Sequence, residues 1–505
     1  MVTGSPAQPE RVRLASSSTA PGPGGGILAL PRPLDWVSRL TLPRISIRGP
    51  LAGRLALVAM IVGALALVAF TSAAPSVLVF HSLEIFPGWQ SGPMHSLLAG
   101  LYVNGTVLRT GFSLLTIAML IAYAVALASA RSLSLRLIVG VIVALHVILL
   151  LGPAFYLNDV FNYLGYARLG GLHGFNPYIH TFEQQRFDPV FPFSSWRNLS
   201  SPYGPIFTAL TYPLAWMPLS AAYWVVKVVT AVFSLGLLGL VYKAARKLGR
   251  DPRVTLVFVA LNPVYIVFAL GGFHNDFLML LPAIGAVVLV VSGRYRWAGA
   301  VLMIAVGIKM SMVLLLPFLL LGAGTTRRRL VTRERVDILI GAVLAAIPLL
   351  ALDLVLFGLA HPNLEYQTTL VTNFSFPNIF GDIIGAGGGA SWILHLAEGL
   401  LVATVLYLLY QLLKGRGDWI SRAGWAMFAL ILSLAWLMPW YAIWLTPLAA
   451  LGASSRLRKA ALALTVYLVL CFIPSTQILL AQHGLDPMGG KVGQAIEHLQ
   501  ASLQS

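Results

Sequence analysis

Charged side chains are scarce in this 505-residue chain: Asp, Glu, Lys and Arg make up 10% of it against 58% hydrophobic residues, and the mean hydropathy is +0.82. That balance excludes a soluble globular protein, where charged residues are about a quarter of the total, and describes a polytopic membrane protein. Acidic residues are scarcer still, with 17 Asp and Glu against 34 Lys and Arg, a net charge of +17. In a soluble chain such an excess points to nucleic acid. Here the basic residues sit in short clusters between apolar runs, so they report topology, and no nucleic-acid partner is expected. Cysteine is nearly absent: Cys471 stands alone inside an apolar run, which excludes a disulfide framework and a Cys-based metal site. There is no H-E-x-x-H, no D-x-D triplet, no Walker motif and no dinucleotide fingerprint, so nucleotide chemistry has no evident home. His274 and Asp276 could offer two ligands to a divalent cation, which gives a metal only weak support and leaves no expected cofactor.

What is present is a succession of apolar runs. Residues 1–50, rich in Pro, Gly, Ser and Arg, cannot build a core and are expected to be a disordered tail. Arg39, Arg44, Arg48 and Arg54 beside the first run, Leu51 to Ala74, place that tail in the cytoplasm. The charge rule also decides two ambiguous stretches. If Pro205 to Leu219 were a span, Lys243, Arg246, Lys247, Arg250 and Arg253 would lie outside, so it is read as a helix on or in the outer leaflet. Trp297 to Gly324 is basic on both flanks, including Arg327, Arg328 and Arg329, so it must cross twice and break near Gly307, Ile308 and Lys309. The expected fold is all-α, with about 13 transmembrane helices over residues 51–480, external loop helices, and an external C-terminal tail over residues 481–505.

Polar residues other than Lys and Arg concentrate on the loops assigned to the outer face. A helix beginning near Asn158 stacks Asp159, Asn162, Tyr163 and Tyr166 along one side at spacings of three and four. Gly170, Gly171 and Gly174 interrupt it, and Asn176-Pro177-Tyr178 reads as a turn. The candidates for chemistry are Asp159, Tyr163, Arg168, His173, Asn176, Tyr178, Tyr203, His274, Asn275, Asp276 and Lys309. Each competes with a plainer role. Asn158 or Asp159 could merely cap a helix, Asp276 could cap the run that follows it, and His274 could be an ordinary interfacial histidine. Lys309 is harder to dismiss, because an ammonium flanked by apolar helix is costly without an anion or water. The Trp440-Tyr441 pair reads as an interfacial belt.

Taken in order, Asp159-Val-Phe-x-Tyr163, Gly174-x-Asn176-Pro177-Tyr178, Pro202-Tyr203-Gly204-Pro205, His274-Asn275-Asp276 and then Lys309 resemble the GT-C polyprenyl-phosphate-dependent glycosyltransferases. They are most similar to bacterial alpha-1,6-mannosyltransferases and phosphatidylinositol-mannoside mannosyltransferases. The resemblance covers roughly Tyr156 to Leu320 at motif level and the later runs by general character. It implies a multi-pass enzyme of the plasma membrane that moves a hexose, mannose being expected, from a polyprenyl-phosphate donor to a glycolipid or lipid-linked glycan on the outer face. It also implies that the acidic residue early in the first large external loop, Asp159 here, is the general base.

Chemistry supplies the remaining roles. A departing lipid phosphate needs fixed cations, with Lys309 first and Arg168 and His274 behind it. Tyr163, Asn176, Tyr178, Tyr203, Asn275 and Asp276 are the expected sugar and acceptor contacts, and membrane lipids surround the whole. The alternative is a flippase or secondary transporter for a lipid-linked sugar; against it, no matched halves are visible. Two spans precede the motif-bearing one, where minimal relatives place that loop after the first.

Overall fold

The computed structural model describes residues 49–95, 104–324, 331–362 and 370–504. The expected N-terminal tail therefore lies almost entirely outside the described residues, as do Arg327, Arg328 and Arg329. Among the described residues the fold is all-helical and contains no strand. Its α-helices of seven residues or more are α1 (Pro50–Ser72), α2 (Gly105–Ser129), α3 (Leu135–Leu151), α4 (Val160–Gly171), α5 (Pro205–Thr211), α6 (Leu219–Lys247) and α7 (Pro252–Ala260). They continue with α8 (Asp276–Val291), α9 (Tyr295–Ile308), α10 (Leu316–Gly322), α11 (Arg333–Phe357), α12 (Phe376–Ile383), α13 (Ser391–Leu413) and α14 (Trp419–Ser433). The last four are α15 (Ala442–Leu451), α16 (Ser455–Phe472), α17 (Pro474–Gln482) and α18 (Lys491–Gln504).

Five of these segments, those containing α1, α2, α6, α11 and α13, have the length and apolar composition to cross a membrane. The count rises to seven if two bent pairs are each one span. Both bends have a local cause at proline. Pro263 follows α7 and leads into a π-helical segment, Val264–Leu270, bent by 46°; Pro474 separates α16 from α17 at 63°. The expectation of about 13 crossings thus meets five to seven full-length candidates, and α3, α8, α9 and α14 are shorter apolar helices. The stretch at Pro205 is a seven-residue helix followed by a 3₁₀ turn, too short to cross. The expected external tail contains a helix, α18, whose Leu503 and Ser502 carbonyls accept from the Asn198 backbone and side chain.

Burial sorts the helices. The π-helical segment and α15 are apolar all round and every one of their residues is buried, so they form the centre. By contrast only 17% of the apolar window of α11 and 11% of that of α13 is buried, leaving rows of Leu and Val outward, as on a lipid-facing helix. α9 and α11 cross closely because both carry glycine at the contact. A Cβ on Gly299 would lie 1.9 Å from the Ile338 carbonyl oxygen, and one on Gly341 would lie 1.8 Å from that of Arg296.

Candidate active site

The segment carrying Asp159 leaves α3 at Leu151 and passes through two consecutive left-handed residues, Tyr156 (φ 41°) and Leu157 (φ 59°). Neither is glycine, so each costs on the order of 1–3 kcal/mol. The surroundings hold them there: the Phe155 amide donates to Gly271 O at 3.1 Å and the Tyr156 amide to Leu78 O at 2.8 Å. α4 then begins at Val160, which puts Asp159 at the N-cap position, yet its side chain makes no capping bond. It faces Asn162, whose amide donates to Asp159 Oδ1 at 3.4 Å, and His274, whose Nδ1 lies 3.4 Å from Oδ2. The plain capping role is therefore not the one this carboxylate fills.

His274 arrives from the opposite side by a matching device. The π-helical segment widens the helix by one residue per turn, with the Gly271 amide bonded to Ile266 O and the His274 amide to Ala269 O. Phe273, left-handed at φ 51°, then turns the chain so that the imidazole stacks on Trp440 with centroids 3.6 Å apart. His274 is wholly buried.

Lys309 follows the last residue of α9 in an extended conformation, as the expected break requires. Its ammonium is paired with Asp276 Oδ1 at 2.8 Å, and the same oxygen accepts the Trp444 indole N–H at 2.6 Å. Asp276 is the first residue of α8 but, like Asp159, it is turned away from the helix end into this pair. Its side chain is 1% exposed and that of Lys309 is 22% exposed, so the pair presents its positive end outward. The rings of Tyr441 and Trp444 lie 5.2 and 5.0 Å from the ammonium. The Gly204 amide donates to the Ile308 carbonyl, and a Cβ at Gly204 would sit 2.3 Å from Gly307 O. Gly204→Ala is accordingly expected to push the α9 terminus aside and reduce turnover by roughly 10²-fold, the cost of about 1 Å of misplacement. A steady-state assay on folded variant checks this, and near-normal kcat would contradict it.

Asp159 and Lys309 line one cavity of about 1150 Å³, together with Asn162, Tyr166, Tyr203, Trp440, Tyr441 and Trp444. The cavity continues between α9, α11, α13 and α14 along apolar residues such as Met303, Val313, Leu349, Leu401 and Leu434, with Asp353, His361 and Glu398 as polar exceptions. A polar end with one carboxylate and one cation, opening onto an apolar corridor, suits an amphiphile with a polar head.

Other expected site residues lie elsewhere. Arg168 does not line this cavity: its guanidinium holds Asp188 through two bonds of 2.9 Å and donates to Ala215 O, and His173 meets the same carboxylate at 2.7 Å. Removing that carboxylate leaves a mostly buried cation without a counter-ion and the Val190 amide without its side-chain acceptor. Asp188→Ala should therefore cost roughly 3–5 kcal/mol of stability, read as a lowered melting temperature; an unchanged melting temperature would argue against it. His274, expected on a phosphate, sits behind Asp159 and Trp440 instead.

Asn176 spans an Asx turn to the Tyr178 amide and donates to Phe357 O, while the Tyr178 hydroxyl donates to Tyr203 O. Tyr163 accepts from the Asn275 amide. These four are placed as scaffold around the cavity rather than on its wall, and of the expected sugar contacts Tyr203 lines it. Burial first, and then the nearby Asp159 carboxylate, push the Tyr163 and Tyr203 phenols well above their ordinary range, so both stay protonated. Trp440, Tyr441 and Trp444 were not expected here. The sequence shows Pro439-Trp440-Tyr441 followed by Trp444, one helical turn on, and that turn is what aims two rings at Lys309. Among the described residues no three His, Cys, Asp or Glu side chains converge as a metal site.

Comparison with known proteins bears on the same region. Residues 51–324 match the family model of the alpha-(1->6)-mannopyranosyltransferase N-terminal domain, and residues 390–485 match that of the MptB C-terminal domain. The chain is 26% identical over 352 residues to alpha-(1->6)-mannopyranosyltransferase A of Mycobacterium tuberculosis, covering 65% of this chain and 67% of that protein. It is 26% identical over 210 residues to the Corynebacterium glutamicum protein of the same name, covering 38% and 39%. No solved structure matches. The flippase and transporter alternative finds no support among these matches.

Proposed function

Because this chain belongs to the alpha-(1->6)-mannopyranosyltransferase family and is a mannosyltransferase, we propose that it takes mannose from a polyprenyl-phosphate donor and passes it to a hydroxyl of a glycolipid or lipid-linked glycan. The observation that carries this reading is the shared cavity: Asp159 and Lys309 open into one space that continues as a mostly apolar corridor between α9, α11, α13 and α14, with Asp353, His361 and Glu398 as its polar exceptions. A nucleotide-sugar donor would find no phosphate-binding loop and little use for such a corridor. A prenyl chain would fill it.

In this reading the acceptor hydroxyl attacks the anomeric carbon while Asp159 takes its proton, and the bond from that carbon to the phosphate oxygen breaks. A single displacement of this kind inverts the carbon. The electron pair leaves on the polyprenyl phosphate, and Lys309, which spends one N–H on Asp276 and keeps two, meets the developing charge. Asn162 donates to Asp159, and His274 lies 3.4 Å from it on the far side, so the two flank the carboxylate. The basic clusters support a site on the outer face of the plasma membrane, with the N-terminus in the cytoplasm. Proteoliposomes given radiolabelled polyprenyl-phosphate mannose and an alpha-1,6-mannoside acceptor should transfer label to the acceptor, and should transfer none from GDP-mannose. Transfer from the nucleotide sugar alone would overturn the donor assignment.

A further inference from the structure

Lys227 lies inside α6 and is 0% exposed, and its ammonium forms none of the ion pairs seen among the described residues. It donates instead to the carbonyls of Leu150, at 2.9 Å, and Gly152. These carbonyls belong to the last turn and C-cap of α3, where backbone acceptors lack partners and carry the negative end of the helix dipole. Three rings close around the same ammonium: Trp224, Phe273 and Tyr223, at 3.8, 4.9 and 5.3 Å to their centroids. Tyr223 adds a bond of its own, accepting from the Ala154 amide at 2.7 Å.

A buried cation without a counter-ion is a costly way to fill this space, since an apolar side chain such as Met would occupy it without desolvating a charge. What the cation touches explains its presence. Leu150 and Gly152 begin the segment that runs through the left-handed Tyr156 and Leu157 to Asp159, and Phe273 is the left-handed residue immediately before His274. The two segments are also joined to each other by the bond from the Phe155 amide to Gly271 O. Lys227 therefore grips both strained approaches to the Asp159–His274 pair from behind, while itself lying outside the cavity wall.

We propose that Lys227 is a positioning residue for mannosyl transfer, fixing the distance and angle between Asp159 and His274 through the carbonyls of Leu150 and Gly152 and the ring of Phe273. It touches no substrate. The inference rests on the reading of Asp159 as the base.

The test uses the full chain in lipid nanodiscs, with Lys227→Met and Lys227→Arg beside Asp159→Asn, and measures kcat, the KM for donor and for acceptor, and the melting temperature. Lys227→Met should lower kcat roughly 10- to 100-fold, the range expected of a misplaced base. Both KM values should stay within about twofold, because binding groups are kept, and the melting temperature should stay within a few degrees, the lost bonds to two carbonyls being offset by removal of a buried charge. Lys227→Arg, which keeps a charge able to reach both carbonyls, should recover most of the rate. The double variant Lys227→Met/His274→Asn should lose little more than the worse single one, because both changes act on the same pair. Wild-type kcat in Lys227→Met, a loss carried wholly by KM, or loss of folded protein in the Met variant would overturn the proposal, the last by making Lys227 a folding element. An active Asp159→Asn enzyme would instead remove the base assignment, so the two failures are distinguishable.

Discussion

Asp159→Asn should lower kcat by roughly 10²–10⁴-fold, the usual contribution of a positioned general base, with donor KM and melting temperature close to those of the unaltered chain. The reason lies in the separation of tasks. Asn has nearly the shape of Asp and can still accept from the Asn162 amide, and Asp159 makes no capping bond whose loss would fray α4. In the proposed reaction the donor phosphate is held at the other end of the polar region, by Lys309. The substitution therefore removes proton acceptance and little else. Rates and affinities measured on purified folded variant decide the matter, and a kcat within a few-fold of normal would eliminate Asp159 as the base.

The second large effect is expected at Lys309 and Asp276, where structural and chemical roles overlap and can be separated. Lys309→Met leaves the Asp276 carboxylate, 1% exposed, with only the Trp444 indole as a partner. Such an uncompensated buried charge should cost roughly 3–5 kcal/mol, so the single variant should be both unstable and inactive. The double variant Asp276→Asn/Lys309→Met removes both charges and should regain most of the stability, since neutralising a buried pair is often nearly neutral. It should stay inactive, with transfer down by at least about 10²-fold, because no cation then faces the leaving phosphate. If the double variant recovered activity along with stability, the pair would be a structural bridge and nothing more.

Several of these features can be read directly from the amino-acid sequence, and the reasons differ by element. The break at Lys309 was legible because two basic flanks force an even number of crossings into a stretch only long enough for two short helices. The Pro205 helix was legible for the same reason. Asp159 stood out as a carboxylate on a helical face with Asn162 and Tyr166, and both of those neighbours share its cavity.

Arg168 and His173 were misplaced because their partner, Asp188, lies 20 and 15 residues further on, in a loop with no periodicity to announce the pairing. His274 is expected near a phosphate as a basic residue of an outer-face turn. The left-handed turn at Phe273 sends the His274 and Asp276 side chains to different partners, one behind Asp159 and one to Lys309. The Trp440-Tyr441 pair reads as an interfacial belt in the sequence, and Trp444 carries no signal of its own, because burial at the centre of a bundle and burial at a lipid headgroup draw on the same residue types. Prolines at 263 and 474 bend two of the candidate spans, which a reading by apolar length alone does not show.

The measurement that bears most directly on the whole account is a cryo-EM structure of the chain with a non-transferable polyprenyl-phosphonate mannose. The phosphonate should lie within hydrogen-bonding distance of the Lys309 ammonium, the anomeric carbon toward Asp159 with room between for a hydroxyl, and the prenyl chain along the corridor past Leu349 and Leu401. A phosphonate bound away from Lys309, or a prenyl chain leaving by another route with Asp159 facing empty solvent, would contradict it.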